Sequence, residues 1–142
     1  MDNKITTSRK VFKYTVNILI IIAVLLEVNA IRFVYTFLNL QRTQVPIDSN
    51  LFLTAFLAVA FMAIIYVISY LISLILIIKN KKIGYLISGI ASLLVFGDAI
   101  QKIVQNNISI TLIMGVTSVF WIVLIIMSFV AYFKSTELEK LK

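Results

Sequence analysis

The sequence contains no cysteine and no histidine. Disulfide bonds, thiol redox chemistry, covalent haem attachment and cysteine- or histidine-based zinc sites are therefore excluded. Catalytic pairs of the Cys–His or Ser–His kind are excluded as well. Mechanisms based on a serine–lysine pair or on carboxylates survive this filter, but the sequence has no nucleophile elbow, phosphate loop or metal-ligand set. We therefore expect a non-catalytic protein with no cofactor and no metal.

Charged residues are also scarce: they make up 13% of the 142 residues, whereas 61% are hydrophobic. Soluble domains are about 25% charged and about 45–50% apolar. So few charges could not cover a water-facing surface, and disordered segments have the opposite composition. The composition therefore predicts one integral membrane domain that occupies residues 1–142.

The charges that are present are mostly positive, with a formal net charge of +7. The positive residues lie at the ends of apolar runs, where lysine and arginine meet lipid headgroups and set the orientation of the chain. This placement indicates a lipid bilayer, and not a nucleic acid, as the partner of the basic residues.

Four apolar runs predict four transmembrane helices, because about 20 mostly apolar residues cross a hydrocarbon core about 30 Å thick. We place the helices near residues 11–40, 51–78, 83–104 and 108–133. The only proline, Pro46, lies between the first two helices, and Lys79–Lys82 is a basic turn between the second and third. The predicted fold class is all-α, an up-down-up-down four-helix bundle.

The lysine and arginine residues are unevenly divided between the two ends of this topology. Ten lie in the two tails and the Lys79–Lys82 turn, whereas only Arg32, Arg42 and Lys102 lie at the other end. The positive-inside rule then places both termini in the cytoplasm and the chain in the cell membrane. An alternative interpretation is a signal peptide cleaved at Val28–Ala30. The helical pattern continues past this tripeptide, which favours an uncleaved helix.

Small residues recur at helical spacing in the second and third helices and predict packing seams. One face of the third helix is small and polar, and bulky apolar residues lie opposite. Small residues at i, i+4 and i+8 let two backbones approach closely inside a membrane. The predicted seam residues are Gly84, Ser88 and Ser92 in the third helix and Ala55, Ala58, Ser69 and Ser73 in the second.

Four charged residues lie within the predicted spans: Glu27, Arg32, Asp98 and Lys102. At 1.5 Å per residue, both carboxylates lie about 21 Å from the basic side, and the two cations lie about one turn further. Asp98 and Lys102 have the i,i+4 spacing of a direct pair. Glu27 and Arg32 point about 140° apart, so Lys102 is the natural partner for Glu27. The cluster is either an interhelical polar clasp or a site for an ion, a proton or a small polar ligand.

These features favour a small non-catalytic membrane protein that serves as an accessory, regulatory or immunity-type partner of a larger membrane complex. The alternative is an oligomeric ion or small-solute transporter or channel, since four helices are few for a complete pore. Lipid chemistry by Glu27 and Asp98 is the weakest hypothesis, because the connecting loops are too short to hold a substrate. The expected protein partner is therefore another membrane protein or a second copy of the chain.

Overall fold

A computed structural model of the protein describes residues 2–44, 49–106 and 112–140, with side chains for 10–32, 35–36, 39, 54, 57–101 and 115–135. The described part is all-helical. Its helices are α1 (Asp2–Gln44), α2 (Ser49–Ile78), α3 (Ile83–Asn106) and α4 (Leu112–Lys140). Each contains a stretch that is long and apolar enough to cross a membrane. Pro46 lies outside the described residues.

The two outer helices are longer than the apolar runs predict. Helix α1 begins at Asp2, not near residue 11, and α4 continues to Lys140, not ending near residue 133. The extra segments are polar, so they do not register as apolar runs. They contain no proline or glycine, however, and nothing in their composition stops a helix.

Each helix packs mainly on its neighbours in chain order. Helix α1 contacts α2, α2 contacts α3, α3 contacts α4, and a less extensive contact joins α4 to α1. The helices thus form a ring in which α1 and α3 lie across from each other. Any direct link between these two helices has to pass through the interior of the bundle.

The buried residues of three helices recur at alternating spacings of three and four. They are Val16, Ile20, Ala23 and Glu27 in α1; Ala63, Tyr66, Tyr70, Ser73 and Ile77 in α2; and Trp121, Leu124, Ser128 and Ala131 in α4. This repeat places one narrow seam of each helix against its neighbours, as in coiled-coil packing. The opposite faces expose large apolar side chains such as Ile18, Phe61 and Val119. Exposed faces of this kind fit hydrocarbon and do not fit water.

Helix α2 ends in a Schellman motif that a side chain from α1 completes. Asn80 is left-handed, with φ of 58°, its N–H donates to the carbonyl of Ile77, and the N–H of Lys81 donates to that of Leu76. Asparagine tolerates this backbone conformation better than most residues. The Lys13 Nζ donates to the carbonyl of Ile78 at 3.2 Å and to Asn80 Oδ1 at 2.8 Å. Lys13 therefore satisfies a helix-end carbonyl and places its charge at the negative end of α2.

Helices α2 and α3 approach closely at Gly84. A Cβ atom at this position would lie 2.7 Å from the carbonyl oxygen of Ser73 and 2.8 Å from Ile77 Cγ1. The Ser73 hydroxyl donates to the carbonyl of Gly84 at 2.7 Å, across the same contact. Glycine is required here because the space for a side chain is filled by the backbone of the neighbouring helix.

Replacing Gly84 by alanine is expected to destabilise the chain by about 1–3 kcal/mol, because the new methyl group forces α2 and α3 apart. Gly97 is the matched control on the same helix, since a Cβ atom there would meet nothing within 4 Å. Gly97→Ala is expected to be neutral or stabilising by up to about 1 kcal/mol. Unfolding of both variants in mixed micelles measures the difference. Equal stabilities for the two variants would contradict the close approach at Gly84.

Candidate functional site

The small face of α3 is buried and joins α2 to α4 through hydrogen bonds. Gly84, Ser88 and Ser92 are all buried. The Ser92 hydroxyl donates to the carbonyl of Ser88 at 2.8 Å, so its only proton is used. The Tyr70 hydroxyl, 3.1 Å from Ser92 Oγ, is then the donor of that contact. A buried tyrosine of α2 is therefore tied to α3 by a satisfied hydrogen bond.

A second hydrogen bond from the same face of α3 reaches α4. Ser88 and Ser128 are both fully buried, and their hydroxyl oxygens are hydrogen-bonded at 2.9 Å. The Ser88 hydroxyl also bonds to the carbonyl of Tyr85 at 2.9 Å. Sequence reasoning did not identify Ser128 as a seam residue. The signal that identifies it is the alternating spacing of Trp121, Leu124, Ser128 and Ala131.

The seam of α2 is rotated by about 60° from the predicted one. Ser73 is fully buried, but Ser69 is half-buried and its hydroxyl donates to Ile65 in its own helix. Ala58 is exposed and lies off the packed seam of this chain, and the side chain of Ala55 lies outside the described residues. The predicted stripe, which also contained Met62 and Tyr66, followed mostly small residues, whereas the buried seam also includes Tyr70 and Ile77.

Three of the buried seam residues are aromatic: Tyr66, Tyr70 and Trp121. The Tyr70 ring stacks on the Trp121 ring at a centroid distance of 6.2 Å, and Phe120 meets Trp121 edge-on at 5.1 Å. Stacked and edge-on arrangements are the favourable geometries of aromatic pairs. Burying Tyr70 and Trp121 against each other therefore turns α2 toward α4 and sets the rotation of its seam.

A polar layer caps this packed interior about 20 Å from the Lys13 end of the bundle. Glu27 continues the α1 seam after Ala23 and is 8% exposed. Tyr66 of α2 is buried and Asp98 of α3 is half-buried. Both carboxylates lie close enough to Tyr66 to act electrostatically on its hydroxyl. The two acidic residues that the sequence places at one height thus both lie near the same tyrosine.

The residues of the predicted polar cluster lie in different environments. Of its three residues with described side chains, Glu27 is buried, Asp98 is half-buried and Arg32 is exposed. Lys102 lies on α3, but its side chain is outside the described residues, so its pairing with Glu27 or with Asp98 stays a prediction.

The bundle is closed on one side of this layer and open on the other. We use the term closed half for the part between Lys13 and Glu27, where the buried seams lie. The open half is the part beyond Glu27, comprising residues 28–32, 35–36, 39, 54, 57–62, 93–101 and 115–120 among those with described side chains. None of these side chains is buried. The alternating spacing continues to Ala30 and Val59, yet both are exposed, Val59 by 36%.

The described side chains contain no group of three or more acidic, histidine or cysteine residues that could hold a metal ion. Comparison with protein-family models, curated proteins and solved structures gives no match. The function therefore has to be inferred from the polar layer and from the open half of the bundle.

The clasp interpretation predicts that Glu27→Gln lowers the melting temperature in detergent more than Asp98→Asn does. Glu27 is enclosed by the packed layer, whereas Asp98 is only half-buried and has Lys102 one turn away on its own helix. Arg32→Gln is the control, because Arg32 is exposed. Melting temperatures that equal that of the wild type for both acidic variants would rule out a clasp at Glu27.

Proposed function

We propose that the chain is a small non-catalytic membrane protein that binds a larger membrane protein as an accessory, regulatory or immunity-type partner. It crosses the cell membrane four times in an up-down-up-down arrangement, with both termini in the cytoplasm. Two contacts support this arrangement: Lys13 of α1 reaches the end of α2, and Lys134 of α4 lies 4.5 Å from the Phe12 ring centroid of α1. These basic helix ends meet at one end of the bundle, as the positive-inside rule expects of a cytoplasmic face.

The observation that carries the proposal is the open half. In the closed half the seams are filled by buried side chains that include serines, Tyr70 and Trp121. The buried serines and Tyr70 are hydrogen-bonded within the chain. Beyond Glu27 the same seam positions, Ala30 and Val59, are apolar and exposed. A helix of a partner protein that packs along these positions would bury them and complete the repeat. A filled closed half also does not favour a pore through a single chain.

The transport alternative has one observation of its own. Glu27 and Asp98 act on the same buried Tyr66, which is the kind of intramembrane polar group that marks ion and proton pathways. Transport would require several copies arranged around a common axis, with these carboxylates facing it. The oligomeric state of the purified chain therefore separates the two functions.

The orientation is testable because the chain has no cysteine, so a single introduced thiol is labelled without background. A membrane-impermeant maleimide added to intact cells is expected to label Asn107→Cys, between α3 and α4. Lys81→Cys and Ser135→Cys should react only after the cells are permeabilised. Labelling of Lys81→Cys in intact cells, or equal labelling of all three variants, would contradict the proposed topology.

The binding function is tested by purifying the tagged chain from native membranes in a mild detergent. The expected result is a stoichiometric complex with a larger membrane protein, which Ala30→Trp disrupts because the indole occupies the exposed seam. Ile18→Trp is the control, since Ile18 is exposed on the opposite face of α1 in the closed half. Loss of the partner with both variants, or with neither, would contradict a binding site in the open half. A symmetric homo-oligomer with Glu27 and Asp98 lining its axis would favour transport.

A further inference from the structure

One end of the bundle carries a band of lysines. Those with described side chains are Lys10, Lys13, Lys79, Lys81, Lys82 and Lys134. Their positions along the helices fall within about 5 Å of one another at 1.5 Å per residue. The acidic residues with described side chains, Glu27 and Asp98, lie about 21 Å away. The charged side chains described at this end are therefore all positive, and the acidic residues that α1 and α4 also carry here, Asp2, Glu137 and Glu139, have side chains outside the described residues.

The structure separates these lysines by what their ammonium groups contact. Lys13 donates to the carbonyl of Ile78 and to Asn80 Oδ1, which uses two of its three donors within the protein. Lys134 lies over the ring of Phe12. Both residues therefore hold α1 against a neighbouring helix, and their charges serve the fold.

Lys79 and Lys81 are different, because they are exposed on either side of Asn80 in the Schellman turn. The hydrogen bonds of Lys79 N–H to Ile75 and of Lys81 N–H to Leu76 keep the backbone of this turn tight. The turn joins two apolar helices directly, so no flexible segment allows these lysines to move away from the membrane surface. Exposed Lys10 extends the same positive patch onto α1.

We propose that Lys10, Lys79 and Lys81 form a binding surface for the headgroups of anionic phospholipids. The charges are complementary, and each lysine near a membrane surface contributes about a fivefold preference for anionic lipid. Exposed aromatic side chains lie at the same depth, since Tyr14 (64% exposed) is next to Lys13 and Phe133 (61% exposed) is next to Lys134. Aromatic rings of this kind lie at the boundary between acyl chains and headgroups. Binding of a soluble acidic partner or a nucleic acid would not require aromatic rings at this depth.

The test measures which lipids the full chain retains from micelles that contain equal amounts of phosphatidylglycerol and phosphatidylcholine. Mass spectrometry gives the ratio of the two bound lipids. Lys79→Gln/Lys81→Gln is expected to lower this ratio by about fivefold for each lysine removed, with an unchanged melting temperature. Lys79→Arg/Lys81→Arg should retain the ratio, since the charge is kept.

Lys13→Gln is the matched control, because it removes one charge from the same end. It is expected to lower the melting temperature and to change the lipid ratio by less than about twofold, since its ammonium is already engaged. An unchanged ratio in Lys79→Gln/Lys81→Gln, or an equal loss in Lys13→Gln, would overturn the proposal. Loss of bound lipid in inorganic phosphate, but not in chloride at the same ionic strength, would overturn it in favour of a site for free phosphate.

Discussion

The structure depends on the fact that lipid hydrocarbon offers no hydrogen-bond partner. A polar side chain within a membrane-spanning helix has to find its partner within the protein, either in the interior of the bundle or, like Ser69, at a carbonyl of its own helix. In the closed half this requirement is met by Ser73, Ser88, Ser92 and Ser128, which are buried and hydrogen-bonded to neighbouring helices. Serine is also small, so the helices that it joins can approach closely. The same side chains thus satisfy the polar groups and set which face of each helix turns inward.

The inward face of α3 was predictable from the sequence because small, polar and bulky residues separate cleanly around that helix. The face of α2 was less predictable, since its rotation depends on Tyr70 stacking against Trp121 of α4. A contact between residues far apart in the sequence leaves no mark on the periodicity of either helix. The helix ends were predicted too short for a similar reason, because polar tails that continue a helix lack the apolar signal by which spans are located.

In the polar layer, the heights of the residues follow from the sequence, whereas their burial does not. A constant rise per residue is enough to bring Glu27 and Asp98 to one height. Burial depends on neighbours, however, and the sequence does not distinguish the enclosed Glu27 from the exposed Arg32. The role of Lys13 could not be predicted either, because its two acceptors come within hydrogen-bonding distance only when α1 packs against the end of α2. Charge counting treats this lysine like any other basic residue at the membrane surface.

The contrast between a filled closed half and an exposed open half is the feature on which the proposed binding function rests. It is tested most directly by single-cysteine accessibility at two positions of the α1 seam, one on each side of Glu27. In the purified chain, Ala30→Cys is predicted to react with a maleimide and Ala23→Cys, in the packed seam, to remain unreactive. In native membranes, the proposed partner is predicted to protect Ala30→Cys. Equal reactivity of Ala30→Cys in native membranes and in the purified chain would contradict the account.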